Sequence, residues 1–173
     1  MVTVWGVVAW AQTGVHEHAL AQIDAHQFAV ARGMRVEIYR LPHLSSPERA
    51  LSAPQRLESV ASLAASPDGR YLAAGGDWGH IAIWDLPAGR ILYEIKLHSF
   101  KVWALAFSPD GALLASGAFD GTVKLFDLRT GLEAGVFVDR ELRSEDNPEG
   151  TAHTGWVRCV AFSPDGELLA TGG

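Results

Sequence analysis

The tetrapeptide Ser-Pro-Asp-Gly occurs three times in this chain, at 66–69, 108–111 and 163–166. The first two copies lie 42 residues apart, and the third follows after 55. The same 42-residue offset relates Trp84-Asp85 to Phe126-Asp127, and Gly89 to Gly131. A phase kept over so many unlike positions marks an internal structural repeat. It constrains the fold more than any single motif, because a unit of this length must bury its apolar face against copies of itself.

Within each unit, short apolar runs alternate with turns. First strands are expected at Leu20–Ile23, Val60–Leu63, Val102–Leu105 and Val157–Val160, and second strands at Phe28–Ala31, Tyr71–Ala74, Leu113–Ser116 and Leu168–Thr171. Third strands are expected at Val36–Tyr39, Ile81–Trp84 and Val123–Phe126. Turns at 86–89 and 128–131 lead to fourth strands near Ile91–Ile95 and Leu132–Val138. The runs are rich in β-branched and aromatic residues, and no helical period competes with them. Proline presets φ and glycine tolerates positive φ, so Pro-Asp-Gly reverses the chain between first and second strands. A four-strand repeat of ~40–45 residues ending in a Trp-Asp-like pair reads as a blade of a β-propeller.

Bulk properties narrow the function classes. Apolar residues make up 48% of the 173 and charged residues 20%, which predicts a folded, soluble protein. The formal net charge of −6 argues against nucleic acid or anionic membrane as the main partner, and neither is expected. Cys159 is the single cysteine, so no internal disulfide can form. That suits a reducing, cytoplasmic setting, and its apolar strand context predicts a buried core thiol. The apolar run from Thr3 to Ala11 is too short for a membrane span of roughly 20 residues. No basic residue precedes it, so a β-strand is expected there rather than a signal peptide.

The units resemble the WD-repeat family, clearly over residues 56–173 and weakly over 3–55. The best copy runs from His98 through Val102–Gly111 and Ala115-Ser116-Gly117 to Phe119–Asp127. The resemblance implies a buried hydrogen-bond chain from a lead-in histidine through a second-strand hydroxyl and a turn aspartate to the third-strand tryptophan. Carried over, these are His98, Ser116, Asp120 and Phe126, and phenylalanine has no N–H to supply the last link. In the preceding unit Trp84 is present, but Arg56 and Trp78 stand at the histidine and aspartate positions. His153 and Thr171 match in the final unit, and His16 has the right offset in the first. The family also implies that Thr3–Trp10 closes the ring as an outer strand.

The expected fold is therefore all-β: an incomplete WD-repeat propeller of about three four-stranded blades, half a blade and an N-terminal closing strand. One domain, 1–173, would hold units near 16–55, 56–97, 98–152 and a truncated 153–173. Propellers have typically 4–8 blades, so a fragment of a longer protein is expected over a closed four-blade ring. Alone, such a chain should be poorly stable, or self-associate through unpaired blade edges.

Catalytic and metal readings are weaker than structural ones. His16-Glu17-His18 with His26 tempts a zinc assignment, but the repeat register already explains His16, and no convergent ligand set accompanies it. His98, Ser116 and Asp120 match a catalytic triad by type, yet the family network accounts for them. No catalytic residue, metal or cofactor is expected. What remains is surface. Thirteen extra residues fall between Gly131 and His153, and 139–150 carries five acids and two bases, among them Glu141, Glu145 and Asp146. Insertions in repeat proteins map to loops, often on the binding face. Trp78, His80 and Phe119 lie in turns on that same face, with Phe100, Lys101 and Trp156 in the neighbouring connections. Trp78 and Phe119 are expected to form an apolar anchor for a basic or aromatic-containing segment of another protein. The expected function is a non-catalytic scaffold for proteins or peptides. The alternatives are a regulatory or sensor domain of a larger multidomain protein, and an enzyme propeller with a central-channel site.

Overall fold

A computed structural model describes residues 19–138 and 150–173. The closing strand at Thr3–Trp10, His16, His18, Glu141, Glu145 and Asp146 lie outside the described residues. Three four-stranded antiparallel sheets and one two-stranded sheet follow one another along the chain. The first holds β1 (Leu20–Gln22), β2 (Gln27–Arg32), β3 (Arg35–Arg40) and β4 (Arg49–Ser52). The second holds β5 (Val60–Ala65), β6 (Tyr71–Gly76), β7 (His80–Asp85) and β8 (Arg90–Lys96). The third holds β9 (Val102–Phe107), β10 (Leu113–Ala118), β11 (Val123–Asp127) and β12 (Leu132–Phe137). The last pair is β13 (Cys159–Phe162) and β14 (Leu169–Gly172). Strand order within each full sheet follows chain order, so every connection is a local reversal. The only helical element among the described residues is the 3₁₀ turn Gln55–Leu57.

The Ser-Pro-Asp-Gly turns explain why the units fold alike. In the first two copies Ser66 and Ser108 donate to Asp68 and Asp110 at 2.5 and 2.6 Å, and Ser163 donates likewise to Asp165. Each serine hydroxyl then accepts the amide five residues on, at 2.8–2.9 Å, and so starts the second strand. The glycine of each turn adopts φ between +69° and +75°, where a side chain is strained. The aspartates of the Trp-Asp-like pairs hold the opposite turns. Ala88 donates its amide to Asp85 at 3.0 Å, and Arg129 donates its own to Asp127 at 2.7 Å.

First strands lie innermost and pack on one another, β1 on β5, β5 on β9 and β9 on β13. Two apolar clusters fill the seams. One lies between the first and second sheets and includes Trp84, Leu63 and Leu57. The other lies between the second and third and includes Phe126, Leu105 and Ile83. Trp84 and Phe126 thus occupy the same place in successive seams. Tyr93, on β8, meets the Phe126 ring edge-on at 5.1 Å and donates its hydroxyl to Leu128 C=O at 2.8 Å.

Two expectations fail. β13 starts at Cys159 rather than at residue 157, although the Val157 side chain is fully buried. Cys159 is exposed rather than buried. Strand alternation gives that thiol a face, but among the described residues no further sheet lies against the outer side of β13 and β14. The fourth strand of the first sheet, β4, was not located from the sequence, because its run Arg49–Ser52 is short and weakly apolar.

Candidate functional site

Turns between second and third strands hydrogen-bond the connections that link one sheet's outer strand to the next sheet, and together these segments build one face. Gly79 C=O accepts from the amides of Leu97 and His98 at 3.1 and 3.3 Å. Phe119 donates its amide to Lys101 C=O at 3.0 Å, and Gly121 C=O accepts from Ala152 and His153 at 2.9 and 3.2 Å. Gly79 has φ +80°, and a Cβ there would overlap the carbonyl of His98, so only glycine lets the two segments meet.

His98 underlies this face and is 3% exposed. Its Nδ1 lies 2.8 Å from Thr122 Oγ1 and 3.3 Å from both Asp120 oxygens, and its Nε2 lies 2.7 Å from Ser116 Oγ. A carboxylate only accepts, so Nδ1 carries the proton and Nε2 takes the Ser116 hydroxyl. Thr122 also donates its hydroxyl to Asp120 at 2.5 Å, and the amides of Thr122 and Ser99 donate to the same carboxylate at 3.0 and 2.9 Å. Burial works to raise the Asp120 pKa. The hydrogen bonds from His98 and Thr122, the His98 ring and the Ser99 amide outweigh it, and the group sits well below the usual carboxylate range. Asp120, Thr122 and Ser116 each have a hydrogen-bond partner within the cluster.

Thr122 was missed from the sequence as a partner of His98, although it follows directly on the Asp-Gly pair of the turn. The preceding unit replaces the whole cluster. Arg56 turns outward with its Nε 3.7 Å from Glu94, Ala74 takes the repeat position that Ser116 holds in the next unit, and the fully buried Leu57 fills space beneath the turn. Trp84 stays in the seam core at 2% exposure. In the last unit His153 Nε2 lies 2.9 Å from Thr171 Oγ1.

The aromatics on the face are arranged differently from expectation. Phe119 is half-buried and lies between two tryptophans. Its ring is 5.2 Å from Trp103 at 25°, and 4.4 Å from Trp156 at 12°. Lys101 Nζ sits 5.3 Å from the Trp103 ring centre, and the Arg158 guanidinium 5.4 Å from that of Trp156. Phe119 therefore joins the third sheet to the approach to β13 and is not an open anchor paired with Trp78. The sequence shows Trp103 only as a strand residue, because nothing in its spacing marks a stack between units. Exposed aromatic surface belongs instead to Trp78, Phe100 and Trp156, each about half exposed. Trp78 Nε1 donates to Glu58 at 2.6 Å, which holds the indole in place. Lys101 pairs with Asp77 at 3.0 Å and so bridges the second and third sheets. His80 is half-buried on β7. Burial, then the positive charges of Lys96 and Arg56, lower its pKa.

Among the described residues no three His, Cys, Asp or Glu side chains converge to hold a metal ion, and no helix is long and apolar enough to cross a membrane.

Residues 46–85, 89–127 and 147–173 match the WD domain, G-beta repeat family. The first match runs from β4 to β7 and the second from β8 to β11, so each takes the outer strand of one sheet and three strands of the next. Ribosome biogenesis protein erb1 of Aspergillus niger and of Emericella nidulans are each 40% identical over 65 residues, as is ERB1 of Coccidioides immitis. That stretch is 33% of this chain and 8% of each of those proteins, so it spans a small part of the curated relatives it matches. Matched repeats cover more than half of the chain, their turns and seams recur sheet by sheet, and the chain belongs to the WD-repeat family.

Proposed function

We propose that the chain is a non-catalytic interaction scaffold that receives another protein on the face carrying Trp78, Phe100 and Trp156. The observation that carries this reading is the exposure of these three large rings on connections braced by hydrogen bonds. Exposed rings held in place lose little freedom on binding, and tryptophan is enriched among residues that dominate binding energy. The buried polar cluster supports the same reading. Its groups satisfy one another, which suits a support for the face better than a reaction centre. The ribosome biogenesis names of the partial relatives favour a place in a multi-component assembly.

The test is site-specific photo-crosslinking in the full chain. A photoreactive phenylalanine analogue replaces Phe100 or Trp156, with Leu41, exposed at the opposite end of the first sheet, as control. The expected result is discrete protein adducts at 100 and 156 that disappear when Trp78→Ala is added. Adducts no stronger than at 41, or unchanged by Trp78→Ala, refute the assignment of this face.

A further inference from the structure

The opposite end of the first seam holds a second concave site, and we infer that it takes the carboxyl-terminal residue of a peptide with an aliphatic side chain. The cleft lies between the first two sheets. Ile23, Ile38, Leu86 and Pro87 supply its apolar wall, and Glu48 and Arg49 its charged groups. Ile23, Ile38 and Leu86 are each less than a tenth exposed, so the wall belongs to the seam core and is already formed. Gly69 lies against Ile23, with room for a Cβ only 3.3 Å from the Ile23 carbonyl.

Arg49 is the group that makes the site specific. It reaches from β4 across the seam and donates Nη1 to Leu86 C=O at 2.5 Å. Gly89 makes room for the other end of the guanidinium, since a Cβ there would collide with Nη2. Arg32, Arg35, Arg40, Arg56, Arg70 and Arg129 all have a carboxylate within 4.0 Å, and Arg158 lies over a ring. Arg49 and Arg90 have neither among the described residues, and of the two only Arg49 is half-buried while Arg90 is exposed. A half-buried guanidinium fixed by one N–H and lacking an anion is a fork for a carboxylate.

Glu48 adds the opposite requirement. Its Oε2 accepts from Gln27 at 2.8 Å and from Arg40 at 3.0 Å, while Oε1 is left to accept a further N–H. The bonds from Gln27 and then Arg40 hold its pKa low, so it is ionised at neutral pH. A peptide's last residue carries the complementary set: a carboxylate for Arg49, an amide N–H for Glu48 and a side chain for the apolar wall.

The test uses the full chain and three probes: a fluorescent hexapeptide ending in a free leucine carboxylate, the same peptide as its C-terminal amide, and free leucine as competitor. Anisotropy should show saturable binding of the free acid, with the amide about tenfold weaker, as expected for one lost charge-assisted pair. Arg49→Gln should make acid and amide equal. If Arg49→Gln lowers the melting temperature enough to cloud the result, Arg49→Lys keeps the charge without the fork and should reduce the discrimination. Equal binding of acid and amide to the wild-type chain overturns the inference. So does discrimination that survives both substitutions, or free leucine competing as well as the unlabelled peptide.

Discussion

The rings of Phe119 and Trp156 lie 4.4 Å apart and 12° from parallel, so a turn of the third sheet is stacked on the chain leading into the fourth. Trp103 closes the other side of Phe119 at 5.2 Å. The three rings form a stitch between two repeat units, and stacked aromatic pairs contribute about 0.5–1.5 kcal/mol beyond their buried area.

Phe119→Ala should therefore destabilise the chain by about 2 kcal/mol, combining lost burial with lost stacking. Trp156→Ala should cost less, because half of that side chain faces solvent. The double substitution should cost less than the sum of the two, by roughly 0.5–1.5 kcal/mol. Urea unfolding of the three variants measures this, and strict additivity rules out the stitch.

His98→Ala leaves the Ser116 hydroxyl and the Asp120 carboxylate with fewer partners in a closed site. The expected loss is about 3 kcal/mol, at the upper end for a buried group left unsatisfied. Ser116→Ala removes one neutral partner and should cost about 1 kcal/mol. Denaturant midpoints that place the two variants together would mean that the carboxylate contact adds nothing.

Asp120 also sets a dependence on acidity. Its folded pKa lies below that of the unfolded chain, so its contribution is fully present above about pH 4 and is lost as pH falls toward the folded value. Asp68, Asp110 and Asp165 have lowered values as well. Burial opposes the shift most at Asp68 but is outweighed by the Ser66 hydroxyl and the Arg70 amide, while serine hydroxyls lead at the other two. Unfolding followed from pH 7 to pH 3 should show stability falling below about pH 4, and Asp120→Asn should flatten part of that slope. An Asp120→Asn profile parallel to wild type would rule the group out as a contributor.

Two glycines with positive φ should respond very differently to alanine. Gly79 has φ +80° and abuts the His98 carbonyl, so Gly79→Ala should cost more than ~3 kcal/mol or prevent folding. Gly33 has φ +61° and open space where a Cβ would stand, so Gly33→Ala should cost only the backbone strain, about 1 kcal/mol. Thermal melts of the pair separate contact from conformation.

The blade pattern was readable because each Ser-Pro-Asp-Gly turn is a closed local circuit, Ser66 to Asp68 and back to Tyr71, that needs no distant partner. The His98 cluster was readable for a different reason: the family resemblance ties residues 18 to 22 positions apart, beyond anything a local rule could join. Trp103, Phe119 and Trp156 were not readable as a group. Their stack depends on how two sheets lean together, and an inner-strand tryptophan looks like any other apolar strand residue. Arg49 escaped notice too, since its acceptor Leu86 lies 37 residues away in another sheet. Cys159 shows the opposite error. Alternation assigns a side chain to a face, while burial depends on what covers that face.

The offset between matched repeat and sheet has a consequence for how such a chain can change. Each repeat begins on β4 or β8, the outer strand of one sheet, and ends with three strands of the next. The unit that is copied is therefore not the unit that packs. Inserting or deleting one whole repeat exchanges an outer strand between neighbours and leaves each four-stranded sheet with four strands. A cut made at a sheet boundary separates β4 from β5, or β8 from β9, and divides a repeat between two pieces. Chimeras of related chains should then join best at the Leu86–Gly89 turn, where one repeat gives way to the next inside a sheet, because the covalent overlap clasps the two parents together.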